Sequence, residues 1–119
     1  MVLRINANGV MSIFPPDKIE AQLKRILATP EFVAGKKISQ FLRYVVEHSV
    51  NGQSDIIKQY TIAVEALGYG ADFDPTATPS VRIVARRLRR ALEQYYLAQG
   101  IEDPIRIDIP KGGYIPTFT

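Results

Sequence analysis

Arginine side chains crowd one short stretch of this chain and are the feature best suited to chemistry. Five of them lie between residues 82 and 90, and no acid follows until Glu93: Arg82, Arg86, Arg87, Arg89 and Arg90. A guanidinium group keeps its charge, and its planar fork can bind a phosphate or two acceptors of a guanine base. The stretch therefore indicates binding to a polyanion, and nucleic acid is the partner that we expect.

The positive charge is concentrated in this stretch rather than spread over the chain. Lys and Arg total 15, Asp and Glu total 12, and the formal net charge is +3. An ordinary solvated helix face places acids three or four residues from each arginine, because such pairs are stabilising. Here Arg86 has arginines at that spacing instead, in Arg82 and Arg90. This pattern favours a ligand-binding patch over a merely solvated face.

Residues that could support catalysis or bind a metal are scarce. The 119 residues contain no cysteine, which excludes disulfides and thiolate metal sites. His48 is the only histidine and has no nucleophile or second histidine near it in sequence, so we interpret it as a surface or boundary residue. Neither a carboxylate pair nor a phosphate-binding loop stands out. We expect no enzymatic activity, no metal and no cofactor.

Membrane and targeting signals are equally sparse. No apolar run approaches the length of a membrane span, and residues 1–14 lack the basic start, long apolar segment and cleavage site of a signal peptide. We therefore expect a cytoplasmic protein without a membrane partner.

The arginines need one long helix to position them, and the sequence marks its start and its faces. Thr78 is a suitable N-cap, and Pro79 suits a first turn because that position needs no backbone donor. Apolar residues follow at helical spacing: Val81, Val84, Ala85, Leu88, Ala91, Leu92 and Tyr95. The pattern predicts a helix over about residues 79–99 with this face in a core. Arg82, Arg86, Arg89 and Arg90 then share the opposite side, with Arg87 on one flank.

Helical patterns also precede the arginine helix. One begins at residue 17 with a capping box of Asp17 and Glu20 and ends before Thr29-Pro30. A second, over residues 37–50, is expected to be the central core helix and to end at Asn51-Gly52. After a short strand at residues 56–59, a third covers residues 60–67 with Thr61 as its cap. A helix, a turn and a basic helix then give the order of a helix-turn-helix motif.

Two hairpins frame these helices. Alternation at residues 105–109 predicts a half-buried strand, and residues 114–118 can return beside it, with Pro116 restricting that strand to an edge. Lys111 lies in the turn between them and can reach a phosphate or the minor groove. Near the N-terminus, Asn8-Gly9 between two β-prone runs predicts another hairpin. The expected fold is mainly α with small β: a winged helix-turn-helix over residues 30–119, extended by a hairpin and helix at 1–29.

Several motifs resemble the winged-helix effector domain of OmpR/PhoB-type response regulators, over about residues 37–118. They are Leu67-Gly68-Tyr69, the run at residues 80–93, and Ile109 with Gly113-Tyr114. Residues 57–65, 72–75 and 110–114 are similar to a proteobacterial variant of that domain, which often heads longer proteins with cyclase-like or repeat regions. We expect neither the family's receiver domain nor its four-stranded N-terminal sheet within these 119 residues.

The resemblance implies a bacterial regulator of transcription that binds specific sequences of double-stranded DNA. It implies that the helix at about 79–99 enters the major groove and that the wing at about 105–118 enters the minor groove. Arg86, Arg87 and Arg89 match family positions that contact bases or phosphates, and Arg90 matches one that is usually basic. Arg82 is assigned by the helical wheel alone. Lys111, which stands one place beyond the family's usual arginine, and Tyr114 of the Gly-Tyr pair complete the expected DNA-binding set.

Two questions stay open at this level. The arginine face could instead belong to a winged-helix interaction module that binds an acidic partner or an RNA polymerase surface, because the fold alone does not decide function. The small basic turn at residues 111–113 favours DNA over that alternative. The helix within residues 1–29 either covers the core helix or contacts a second copy of the chain.

Overall fold

The computed structural model describes residues 4–5, 11–12, 14–74 and 79–119. This part of the chain is mainly helical and contains two small antiparallel sheets, in agreement with the predicted class. The α-helices are α1 (Pro16–Leu27), α2 (Pro30–Ala34), α3 (Lys36–Val50), α4 (Gln59–Thr61) and α5 (Ser80–Leu97). The strands are β1 (Arg4–Ile5), β2 (Met11–Ser12), β3 (Ile107–Asp108) and β4 (Thr117–Phe118).

Helices α3 and α5 form the centre of the hydrophobic core. On α3 the buried apolar side chains follow the predicted spacing: Ile38, Phe41, Leu42, Val45 and Val46. On α5 every residue of the predicted apolar face is buried. The two faces pack together because each helix presents a continuous apolar stripe at the helical repeat. This packing confirms the predicted apolar face of α5 and turns its arginine side outward.

Helix α1 belongs to the same core. Its buried residues Ile19, Leu23 and Ile26 pack towards α3, so α1 covers the core helix, one of the two roles left open above. The predicted capping box of Asp17 and Glu20 is wrong. The helix begins one residue earlier, at Pro16, and it has no side-chain cap, because Pro15 occupies the N-cap position and its side chain has no hydrogen-bond acceptor.

The segment between α3 and α5 differs most from the prediction. The expected strand at residues 56–59 is wrong, since a 3₁₀ turn occupies Ser54–Ile56. Gly52, with φ of 73°, reverses the chain after α3, and Ile57 is buried without a neighbouring strand to pair with among the described residues. The predicted helix at 60–67 is present as α4 continued by a π-helical turn, Ile62–Ala66. The predicted cap at Thr61 is wrong, because Lys58 occupies the N-cap position. Thr61 lies inside the helix, where its hydroxyl accepts the Lys58 amide hydrogen at 3.0 Å.

Sequence patterning gave no indication of α2. This helix has only five residues, too few to show a helical repeat, and it buries the single side chain Phe32. The predicted cap at Thr78 and the turn at Asn8-Gly9 lie outside the described residues. Strands β1 and β2 nevertheless pair as a hairpin requires, with Arg4 opposite Ser12 and Ile5 opposite Met11.

The C-terminal hairpin, residues 105–119, follows α5 through a turn at residues 98–104. In the hairpin, Ile107 lies opposite Phe118 and Asp108 opposite Thr117, and two backbone bonds between Arg106 and Thr119 extend the pairing. Ile105, Ile107 and Ile109 are buried, whereas Arg106 is exposed. The predicted alternation is confirmed, although the regular strands are shorter than expected.

Candidate nucleic-acid interface

A groove between α5 and the turn of the C-terminal hairpin collects most of the predicted site residues. Its volume is about 640 Å³. We call it the arginine groove, and its polar lining consists of Arg82, Arg86, Arg89, Arg90, Glu93 and Lys111, with Tyr114 at its side. Helix α5 contributes one wall because residues 82, 86 and 90 recur every four positions, a rise of about 6 Å each time. The hairpin turn contributes the other wall.

The cations of the arginine groove form no ion pair within the described part of the chain. Arg82, Arg86 and Arg90 are exposed. Within residues 14–74 and 79–119 the observed ion pair joins Arg106 to Asp108 at 2.9 Å, and none includes a cation of the groove. Five cationic side chains therefore face one carboxylate, Glu93, across a concave surface. Such a surface concentrates positive potential and attracts a polyanion.

Arg89 has a different role from its neighbours, because its guanidinium group holds the hairpin turn. Its Nε donates to the Ile109 carbonyl at 2.7 Å. Its Nη2 donates to the carbonyls of Gly113 at 2.8 Å and Pro110 at 3.3 Å. One side chain of α5 thus binds three carbonyls on both sides of the turn. The sequence motifs predicted a DNA contact for Arg89, whereas its side chain is half-buried and bonded to the hairpin.

Arg87 is the one predicted site residue outside the arginine groove. It is exposed on the flank of α5, the position that the helical wheel indicated. Ile83, one turn earlier on the same flank, leaves 48% of its surface exposed. Arg87 can reach a ligand only if that ligand extends beyond the groove.

The hairpin turn presents Lys111 at the edge of the groove. Gly112 adopts φ of 95°, a conformation that residues with a Cβ rarely take, so glycine allows the tight turn. Tyr114 is half-buried, and its ring meets that of Phe41 edge to face at 5.8 Å. Tyr114 therefore anchors the turn to the core helix while one side of it lines the groove.

A second polar cluster holds the base of the hairpin, and sequence analysis did not identify it. We call it the polar junction, and it consists of Gln22, Arg25, Tyr95, Tyr96 and Asp103. Gln22 is fully buried, donates to Asp103 at 2.8 Å and to the Tyr96 hydroxyl at 3.3 Å, and accepts from Arg25 at 2.8 Å. The signal that could have indicated it is a glutamine within the apolar stripe of α1, at helical spacing from Ile19 and Ile26.

Tyr96 connects the polar junction to the hairpin backbone. Its hydroxyl donates to the Ile105 carbonyl at 2.9 Å and accepts the Ile107 amide hydrogen at 2.8 Å. Burial raises the pKa of Tyr96. Burial and the hydrogen bond to Asp103 raise the pKa of Tyr95. That bond is also the main reason why the pKa of Asp103 is lowered, with Gln22 and Arg25 assisting.

Among the described residues, no three His, Cys, Asp or Glu side chains come together as a metal site. His48 is half-buried, its Nδ1 lies 2.8 Å from Oε1 of Gln53, and its ring packs 4.3 Å from that of Tyr44. None of the described helices combines the length and apolarity needed to cross a membrane.

Comparisons with known proteins identify no relative of this chain. No protein-family model matches it, and neither the curated proteins nor the solved structures contain a match. The resemblance of residues 37–118 to OmpR/PhoB-type domains stays a prediction from sequence motifs. The function is therefore inferred from the geometry and charge of the arginine groove.

Proposed function

We propose that the chain is a sequence-specific, double-stranded DNA-binding regulator of transcription that acts in the bacterial cytoplasm. In this proposal α4 and α5 form a helix-turn-helix, α5 enters the major groove, and the C-terminal hairpin is a wing over the adjacent minor groove. The fold proposed is a winged helix built on α3, α4 and α5, with α1 as an added cover. The order of helix, basic helix and hairpin supports this assignment.

The observation that carries the proposal is the set of unpaired cations in the arginine groove. A face that served only solubility would gain from acids at helical spacing, and among the described residues these arginines form no ion pair. Phosphates are the ligand that five cations on a concave surface match best. The major groove of B-DNA admits an α-helix, and exposed side chains of α5 could then contact base edges.

Different arginines have different tasks in this proposal. The side chains of Arg86 and Arg90 are exposed and form no ion pair within the described residues, so in this proposal they contact bases or phosphates. Arg82, near the start of α5, and Lys111, in the hairpin turn, add phosphate contacts, and Arg87 contacts a DNA strand beyond the groove. Arg89 fixes the angle between α5 and the hairpin, which sets the spacing of the two DNA contacts.

The test is the affinity for duplex DNA, measured by fluorescence anisotropy across a salt series. The variant Arg86→Ala, Arg90→Ala is compared with Arg43→Ala, which removes an exposed arginine of α3 outside the groove. We expect the affinity of the double variant for DNA to fall at least about tenfold. The slope of the logarithm of its binding constant against the logarithm of salt concentration should become shallower by about 2, because two phosphate contacts are lost. The Arg43 variant is expected to bind as the wild type does.

Two outcomes would contradict the proposal. If the wild type does not bind duplex DNA at low salt, the arginine groove serves an acidic protein partner, the other class considered. If all three proteins bind with the same affinity and slope, binding does not occur at the arginine groove. A preference for one sequence over random duplex, lost in the double variant, would support a specific regulator.

A further inference from the structure

Among the described residues Glu93 is the one carboxylate in the lining of the arginine groove, and no ion pair joins it to a cation of that lining. Arg89 and Arg90 lie four and three residues before it on α5, at spacings where helical ion pairs form. Neither arginine pairs with it in the part of the chain described. Arg89 is turned towards the carbonyls of Ile109, Pro110 and Gly113 instead. The exposed carboxylate of Glu93 is thus left available to a ligand.

A free carboxylate is unfavourable in a groove that binds phosphates, because like charges repel. It is favourable only beside a hydrogen-bond donor of the ligand. In the major groove the bases present two such donors, the N4 amino group of cytosine and the N6 amino group of adenine. Adenine also presents N7, an acceptor next to its amino group, which would repel the second carboxylate oxygen. Cytosine has no acceptor in that place.

We propose that Glu93 determines specificity by accepting a hydrogen bond from the N4 amino group of a cytosine in the major groove. This inference rests on the proposed DNA-binding function and adds one base position to it. Arg86 and Arg90 supply affinity through their charge, whereas Glu93 lowers affinity for most sequences and spares those with cytosine at its position. The residue acts as a discriminator because each wrong base leaves its charge against the DNA without a donor.

The experiment selects preferred duplexes from a randomised library with the wild type and with Glu93→Gln, followed by sequencing. A glutamine side chain can bind N6 and N7 of adenine together. We therefore expect one position of the selected sequence to change from cytosine to adenine while the others persist. Affinity for random duplex should rise by about two- to fivefold, the effect of one exposed charge. Glu102→Gln, an equal charge change at an exposed site outside the groove, is the control.

Each result decides something different. A change confined to one position in Glu93→Gln, absent in Glu102→Gln, supports the inference. If both variants select the wild-type sequence, Glu93 does not contact a base, and the inference is overturned while DNA binding stands. If the wild type enriches no sequence and binds no duplex, the proposed function is wrong, and the inference about Glu93 is wrong as well.

Discussion

The arginine groove borders the turn of the C-terminal hairpin, and the polar junction contacts the base of the same hairpin. The two regions differ in whether their charged groups have partners within the protein. In the polar junction Arg25 donates to Gln22, Gln22 and Tyr95 donate to Asp103, and each of these bonds is partly buried. Within the described chain no buried side-chain polar atom lacks a partner. In the arginine groove the side chains of Arg86 and Arg90 are exposed and form no ion pair with any described residue. Polar groups that hydrogen-bond to one another stabilise the fold, whereas cations without a partner in the protein are available to a ligand.

Arg89 belongs to both sides of this comparison. It shares the helical face of Arg86 and lines the same groove, yet its hydrogen bonds resemble those of the polar junction. Arg89 and Tyr96 both connect α5 to the hairpin by hydrogen bonds, Arg89 near the turn and Tyr96 near the base. The comparison therefore predicts that variants of the junction change stability, variants of the groove change binding, and a variant of Arg89 changes both.

The largest loss of stability is expected from Gln22→Ala. This change leaves a cavity, removes three hydrogen bonds and deprives Asp103 and Tyr96 of a buried donor. We expect the free energy of unfolding to fall by about 2–4 kcal/mol. Urea unfolding measures it, with the exposed Gln94→Ala as the control. A folded Gln22→Ala protein that binds DNA much more weakly than the wild type would break the separation of the two regions.

Arg89→Lys should have an intermediate effect on stability. Lysine keeps the charge, but a single ammonium group cannot span three carbonyls as the planar guanidinium does. We expect the free energy of unfolding to fall by about 1–3 kcal/mol and DNA affinity to fall with it. Arg86→Lys is the matched control, for which we expect a change within about 0.5 kcal/mol. Equal unfolding midpoints for the two variants would show that the Arg89 bonds do not stabilise the hairpin.

The smallest effect concerns the pH dependence that Asp103 confers. Folding lowers the pKa of Asp103, so its ionised carboxylate adds to the free energy of unfolding. This stabilisation is complete above the ordinary aspartate pKa of about 3.9 and is lost as the pH falls through the lower pKa of the folded state. We expect the wild type to lose more stability than Asp103→Asn between pH 7 and pH 3, by less than about 1 kcal/mol. Urea unfolding at both pH values checks this. Parallel losses in the two proteins would contradict it.

Helix α5 and the C-terminal hairpin could be predicted because their sequences repeat with the periods of the structures they form. Val81, Val84 and Leu88 recur at the helical spacing, and Ile105, Ile107 and Ile109 alternate as a half-buried strand requires. Helix α2 and the 3₁₀ turn at Ser54–Ile56 could not, because each is shorter than the repeat needed to reveal it. Most of the site residues were also identifiable, since a run of arginines is a local property.

The sequence by itself determined that α5 has one apolar and one cationic face, and that a basic turn lies about 20 residues later. Only the tertiary structure decided what each arginine does, because that depends on where the hairpin turn packs. In the folded chain Arg89 bonds to the turn, Arg86 and Arg90 stay exposed in the arginine groove, and Arg87 lies outside that groove. Folding likewise brings Gln22 to Asp103, 81 positions away. Spacing along a chain specifies which face a side chain occupies, whereas its partners come from elements that only folding brings near.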